Sequence, residues 1–299
     1  MVRILLLSLL CVSNALSYLA YDADRRVPYA QASIYSRDEY DWWMKNTGEP
    51  SRLFYNGKFQ EQESGSYDLQ IVDVARGIQP NATGIKVAVI DVDPQHMARV
   101  GNLVGTVAPG VVVNYYQLSR FYPEVFAPAI TNAVLAGNQV ILMPTGWATP
   151  DTNLLNALEY AMGCVIVCSA PNNPQNVDIV PDYPTSWNLP NVLSISSCDR
   201  SGRHYWSGTG TNVVDAPGRN IAAVNNNGEL VYASGSSSAA GIAAGCVALL
   251  VKQRSMSASG YVSRVRSKAD SIGSQLRLNI VEALRPDKPT PHGLRLSRL

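Results

Sequence analysis

The chain has 299 residues, 46% of them hydrophobic and 16% charged, and a formal net charge of +1. That is globular composition, long enough for one large core with small additions. A balance so near neutral excludes a general attraction to nucleic acid or to an anionic membrane surface, and neither is expected as a partner.

The chain opens with Arg3, an apolar run over residues 4–12, and small residues at Ser13, Ala15 and Ser17. This order reads as a secretory signal over residues 1–17, too short to span a bilayer, so a secreted protein is expected. Residues 18–69 are polar and aromatic without sustained periodicity, and include the basic pair Arg25-Arg26. They read as an N-terminal arm or a propeptide remnant. Asn81-Ala-Thr83 is a glycosylation tripeptide ahead of the first strong strand.

From residue 84 the pattern becomes regular. Val87 to Ile90 is an apolar run ending in Asp91. Residues 111–118 read as a strand, 128–137 as a helix closed by Gly137, 139–143 as a strand and 153–162 as a helix. Further buried strands are expected over residues 165–170, ending near Asn172, and 192–197. Alternation of this kind predicts an α/β fold, a parallel sheet flanked by helices on both faces in three layers. Functional side chains in such sheets sit beyond the strands' carboxyl ends, where Asp91 and Asn172 fall. Residues 233–250 carry no charge, and a Gly/Ser turn runs straight into a helix of small and apolar residues. That helix is expected to be buried, with Ser237 in its first turn beside unpaired N–H groups. Residues 285–299 read as a loose basic tail.

Cys11 lies in the signal, leaving Cys164, Cys168, Cys198 and Cys246. Cys164 and Cys168 on one strand lie about 13 Å apart and cannot bridge each other. Disulfides with the other two and buried free thiols both remain open, and the spacings suggest no metal site.

Several blocks in order resemble the subtilisin-like serine proteases, the subtilases, over about residues 70–284. They are the strand ending in Asp91, the strand leading to Asn172, Asp215-Ala-Pro-Gly218, and Gly235-Ser-Ser237. The resemblance implies a subtilisin-like fold and a peptide or protein substrate. It implies roles for Asp91 as the triad carboxylate, Ser237 as the nucleophile and Asn172 as the oxyanion donor. Pro144, Thr145 and Gly146 stand where the family has its substrate edge, and Pro144 removes one backbone donor from it. Trp147, next along, is expected to fill part of the cleft. Calcium enters only through the resemblance, since no Asp-rich ligand loop is present, and no other cofactor is expected. A monomer is expected.

The histidine admits two alignments. His96, five positions after Asp91, can serve as the base. Alternatively Val92-Asp-Pro-Gln-His96 matches a surface loop after the family's Asp, and the chain then jumps to Val104-Gly-Thr-Val-Ala-Pro-Gly110, a turn that follows the family's histidine helix. The second match is closer, and on it the histidine block is missing. His204 and His292 are not good base candidates. The sequence therefore predicts a secreted subtilisin-like endopeptidase, acting through an acyl-enzyme on Ser237, with activity impaired by an absent or degenerate histidine block. The alternatives are a non-catalytic member of the fold that binds peptides or partners, and a truncated gene model.

Overall fold

The computed structural model describes residues 75–287, apart from 200, 201, 226 and 229, and the backbone of a few two- or three-residue strands before residue 61. Apart from those short strands, the expected signal, the N-terminal arm and most of the basic tail lie outside the described residues.

Strands and helices alternate over residues 86–169 as the sequence pattern requires, and two further strands of the same sheet follow. β1 is Lys86–Asp91, α1 Pro94–Val107, β2 Val112–Gln117, α2 Pro123–Leu135 and β3 Val140–Met143. α3 is Thr152–Tyr160, β4 Val165–Ser169, β5 Val192–Cys198 and β6 Val213–Pro217. A hairpin of β7, Ile221–Val224, and β8, Leu230–Ala233, then leads into α4, Ser236–Gln253. α5 (Ala258–Ser267), β9 (Asp270–Ile272), β10 (Gln275–Arg277) and α6 (Ile280–Leu284) close the described chain.

Eight strands form one sheet in the order β9-β10-β6-β5-β4-β3-β1-β2. Every pairing is parallel except the terminal β9–β10 pair. Both faces of the central strands are covered, so β3 and β4 are buried along their whole length, whereas the edge strand β2 carries Asn114 and Gln117 and is partly exposed. Val87, Val89, Val140, Leu142, Val165 and Val167 face α1 and α4. Ala88, Ile90, Ile141, Met143 and Ile166 face α2 and α3.

α2 begins at Pro123, five residues earlier than the pattern predicted. Proline is well suited to the first helical position, where its missing N–H costs nothing. Pro128, read from sequence as the helix start, lies inside it. Cys164, Cys168, Cys198 and Cys246 are free and buried, which resolves the open choice toward thiols. Among the described residues no helix is long and apolar enough to cross a membrane.

The chain runs from β1 outward to β2, then returns to β3 on the other side of β1. The connection therefore changes direction between β1 and β3. Beyond the carboxyl ends at such a switch the loops part and leave a crevice. Asp91 ends β1 and Pro144 follows β3 at that point.

Candidate active site

Asp91 is buried, and its two oxygens have separate tasks. Oδ1 accepts from the backbone N–H groups of Val92 and Asp93, at 2.7 and 3.2 Å. Oδ2 lies 2.5 Å from Nδ1 of His96. A carboxylate only accepts, so Nδ1 carries the proton, and Nε2 presents its lone pair as a base requires.

His96 owes its position to the start of α1. Asp93 caps the helix, accepting from the Gln95 N–H at 2.8 Å, and Pro94 takes the first helical position. His96 is then third in the helix, one turn from the end of β1. This corrects the loop alignment. His96 is helical, and the segment from Val104 to Val107 is the last turn of the same helix. The connection from strand to helix is two residues long.

The partner helix is α4. Ser236 and Ser237 are its first two residues, and its interior is buried from Ser238 to Leu250. Gly241 and Gly245 let α1 approach closely. A β-carbon on Gly241 would lie 3.0 Å from the Val100 carbonyl oxygen, and one on Gly245 would lie 2.6 Å from the Val107 β-carbon. The pairs 241/100 and 245/104 advance together, so the helices run parallel in register. One turn back, that register sets Ser237 level with the His96-Met97 turn. Both side chains thus stand in the first turns of adjacent parallel helices.

The nucleophile turn is tied to two strand ends. The Ser236 hydroxyl donates to the Ala170 carbonyl at 2.6 Å, and the Ser237 hydroxyl to the Pro144 carbonyl at 3.3 Å. Asn172 lies three residues past β4. Its Oδ1 accepts from the Ser236 N–H and hydroxyl, both at 2.9 Å. An N–H can only donate, so the atom facing it is the amide oxygen. The Asn172 NH₂ is left toward solvent, with no acceptor among the described residues. Gly235 takes φ 139°, a conformation that favours glycine, and a β-carbon there would meet Asn172 Oδ1 at 2.9 Å.

Ser237, Pro144 and Asn172 are thus tied together beyond the ends of β3 and β4, and the register of α1 beside α4 sets the Asp91–His96 pair at the same end of the sheet. Thr145 turns back, its N–H donating to the Met143 carbonyl at 2.7 Å, so neither Pro144 nor Thr145 offers a free backbone donor. Trp147 belongs to the core: it is buried, with its ring centre 4.8 Å from that of Phe126 and 5.4 Å from that of Phe121.

Two features have no motif in the sequence. His204 Nδ1 contacts both Asp215 carboxylate oxygens, at 3.0 and 3.1 Å, and its Nε2 donates to the Ser207 carbonyl at 2.9 Å. Both ring nitrogens face acceptors, an arrangement that favours the imidazolium, and hydrogen bonding to Asp215 raises its pKa. Asp182, in the turn before Pro184, is buried against Gly146. Among the described residues no three His, Cys, Asp or Glu side chains come together as a metal site would need.

Comparison with known proteins bears on the fold and the family. A thermophilic serine proteinase of Bacillus sp. (strain AK1) is 34% identical over 131 residues, which are 42% of this chain and 31% of that protein. The chain thus spans about a third of that relative's length. The nisin leader peptidase NisP from Lactococcus lactis superposes with a TM-score of 0.66 at 17% identity, covering 83% of this chain and 95% of that one. The prenylagaramide maturation protease PagA gives 0.65 at 19% identity, covering 71% and 96%. At such identities these likenesses establish the fold, a parallel sheet between helices as in the subtilisin-like proteins. The model of the subtilase family, peptidase S8, matches residues 82–271, and the chain therefore belongs to that family of subtilisin-like serine proteases.

Proposed function

We propose that this protein is a competent serine endopeptidase whose base is His96. The observation that carries this reading is the contact of His96 Nδ1 with Asp91 Oδ2, on a helix that runs in register beside the helix of Ser237. Impaired activity is the sequence expectation because the histidine block reads as absent or degenerate; the contact of His96 with Asp91 supports the other alignment, in which His96 is the base.

The Ser237 hydroxyl leaves the Pro144 carbonyl and gives its proton to His96 Nε2 as its oxygen attacks the substrate carbonyl carbon. Asp91 stays ionised and stabilises the imidazolium. The Asn172 NH₂ and the N–H of Ser237, at the positive end of α4, receive the negative charge on the carbonyl oxygen. His96 then protonates the leaving amine, and water repeats the sequence to release the acyl group. Asn172 is pre-oriented for this, because both donors of Ser236 fix its other face. The long hydrogen bond of Ser237 to Pro144 is weak enough to exchange once substrate arrives.

We further read the chain as secreted, with residues 1–17 removed and residues 70–284 forming the protease domain; the positive, apolar, small-residue order of the N-terminus supports this. Hydrolysis of an unstructured protein by the full chain, beside Ser237→Ala, tests the activity. Cleavage dependent on Ser237 is expected; equal, background cleavage by both would reject it.

A further inference from the structure

A line of hydrogen bonds joins the His204–Asp215 pair to Asn172. His204 Nδ1 donates to the Asp215 carboxylate on β6 at 3.0 Å, and Nε2 donates to the Ser207 carbonyl at 2.9 Å. That carbonyl shares a peptide unit with the Gly208 N–H. The unit is trans, so the two groups point in opposite directions. On its far side the Gly208 N–H donates to the Pro171 carbonyl at 2.7 Å. The Pro171 carbonyl belongs in turn to the peptide unit that begins Asn172. The line therefore runs from a buried carboxylate, through one imidazole and two peptide units, into the backbone of Asn172.

The segment 204–208 that carries this line is packed without slack. The Ser196 hydroxyl donates to the Gly208 carbonyl at 2.6 Å, the Ser197 N–H donates to Ser207 Oγ at 2.9 Å, and Ser207 is fully buried. A β-carbon on Gly208 would lie 2.8 Å from Pro171 Cδ, so the segment rests directly on the residue it holds. Ala170, next back, accepts the Ser236 hydroxyl, and its N–H donates to the Ile195 carbonyl at 2.8 Å. Close-packed groups transmit a displacement instead of absorbing it. A turn of the 207–208 peptide is thus passed to Pro171 and on to Asn172.

Resting on the protease reading above, we propose that His204 is a positioning residue for the reaction: as an imidazolium it fixes the 207–208 peptide and, through Pro171, aims the Asn172 amide at the oxyanion. The charge matters because a neutral ring has one proton for two acceptors. With that proton on Nδ1, facing Asp215, the Nε2 lone pair confronts the Ser207 carbonyl. A buried carbonyl then loses its donor, and the peptide it belongs to loses its anchor. The hydrogen bond to Asp215 raises the His204 pKa above its ordinary value. The line is therefore intact below about 6.5 and breaks as pH rises through the folded value. The other titratable and charged groups around the ring are already engaged. Burial pushes the Cys198 thiol on β5 well above its ordinary value. Asp199 is paired with Arg203 at 3.5 Å, Arg277 on β10 stands opposite Asp215 and is paired with Asp270 at 3.3 Å, and Tyr205 lies under the Arg219 guanidinium.

Two measurements on the full chain test this. The first is kcat and KM for a peptide substrate from pH 7 to 10, with the fold followed by circular dichroism at each pH. As His204 loses its proton, kcat is expected to fall about tenfold with KM within about twofold, since a misaimed oxyanion donor costs the transition state and not the ground state. His204→Gln should begin at the lower kcat and stay flat over that range. In the Asn172→Ala chain, adding His204→Gln should change kcat by less than about twofold, because no donor is left to aim. The second measurement needs no activity. The side-chain carboxamide carbon resonance of Asn172, identified by its loss in Asn172→Ala, should move with the same pH midpoint as the His204 ring in an NMR titration of the unsubstituted chain. A kcat that stays flat in the unsubstituted chain, additive losses in the two variants, or an Asn172 resonance indifferent to His204 would overturn the assignment. A resonance that follows His204 in a chain without Ser237-dependent hydrolysis would sink the protease reading alone. Hydrolysis with no His204-dependent alkaline limb would sink this inference alone.

Discussion

Asp91 and His96 lie five positions apart in the chain, and their side chains meet at 2.5 Å. The strand ends, two residues turn, and a capped helix brings the imidazole back over the carboxylate. The carboxylate and base of the proposed site therefore come from one local unit, and α4 carries the proposed nucleophile, Ser237.

Because the two act as a unit, their losses should not add. Asp91→Asn is expected to lower kcat about 10⁴-fold by releasing the Nδ1 tautomer, and His96→Ala by at least as much. The double variant should be little worse than His96→Ala. Steady-state kinetics on the three proteins checks this; additive losses would mean that the residues act independently.

Asn172→Ala removes the amide NH₂ facing the crevice and the acceptor for two donors of Ser236. A loss of about 10²–10³ in kcat is expected, about 3–4 kcal/mol of transition-state stabilisation, with KM little changed. A rise in KM alone would show that Asn172 only binds substrate.

Gly245→Ala tests the helix contact that sets the register. Its β-carbon would fall 2.6 Å from the Val107 β-carbon and 3.0 Å from the Val104 carbonyl oxygen. Despite alanine's better helix propensity, overpacking should destabilise by about 1–3 kcal/mol in urea unfolding. Unchanged or raised stability would contradict the close parallel packing of α1 and α4.

The His204–Asp215 pair makes stability fall with alkaline pH. The folded pKa of His204 is raised above its ordinary 6.5, with the hydrogen bond to Asp215 as the largest cause. Its contribution is fully present below about 6.5 and is lost as pH rises through the folded value. Urea midpoints across pH 5.5 to 9 should fall more steeply in the wild type than in His204→Gln. Parallel curves would remove His204 from the account.

Much of the fold was legible because its elements announce themselves locally. The strands around Val87, Val140 and Val165 are uninterrupted apolar runs, and α4 carries no charge before Lys252 in its last turn. Asp91, Asn172 and Ser237 were legible because each falls where a strand ends or a buried helix begins. His96 was obscured by spacing: alignment by chain distance leaves a gap where the structure shortens a connection. The signal was present in Asp93 as a cap, Pro94 as a first helical residue, and Met97, Val100, Val104 and Val107 at helical intervals. Asp182 and the His204–Asp215 pair had no such signal, since each depends on a contact between segments remote in sequence.

The central claim is that His96 activates Ser237. It is tested most directly by the rate at which a small neutral fluorophosphonate labels the full chain, a reaction that needs the activated serine but no particular peptide. Labelling confined to Ser237, abolished by Ser237→Ala and slowed at least about a thousandfold by His96→Ala with the fold intact, is the expected result. A chain that is folded yet unlabelled, or labelled equally fast without His96, would contradict it.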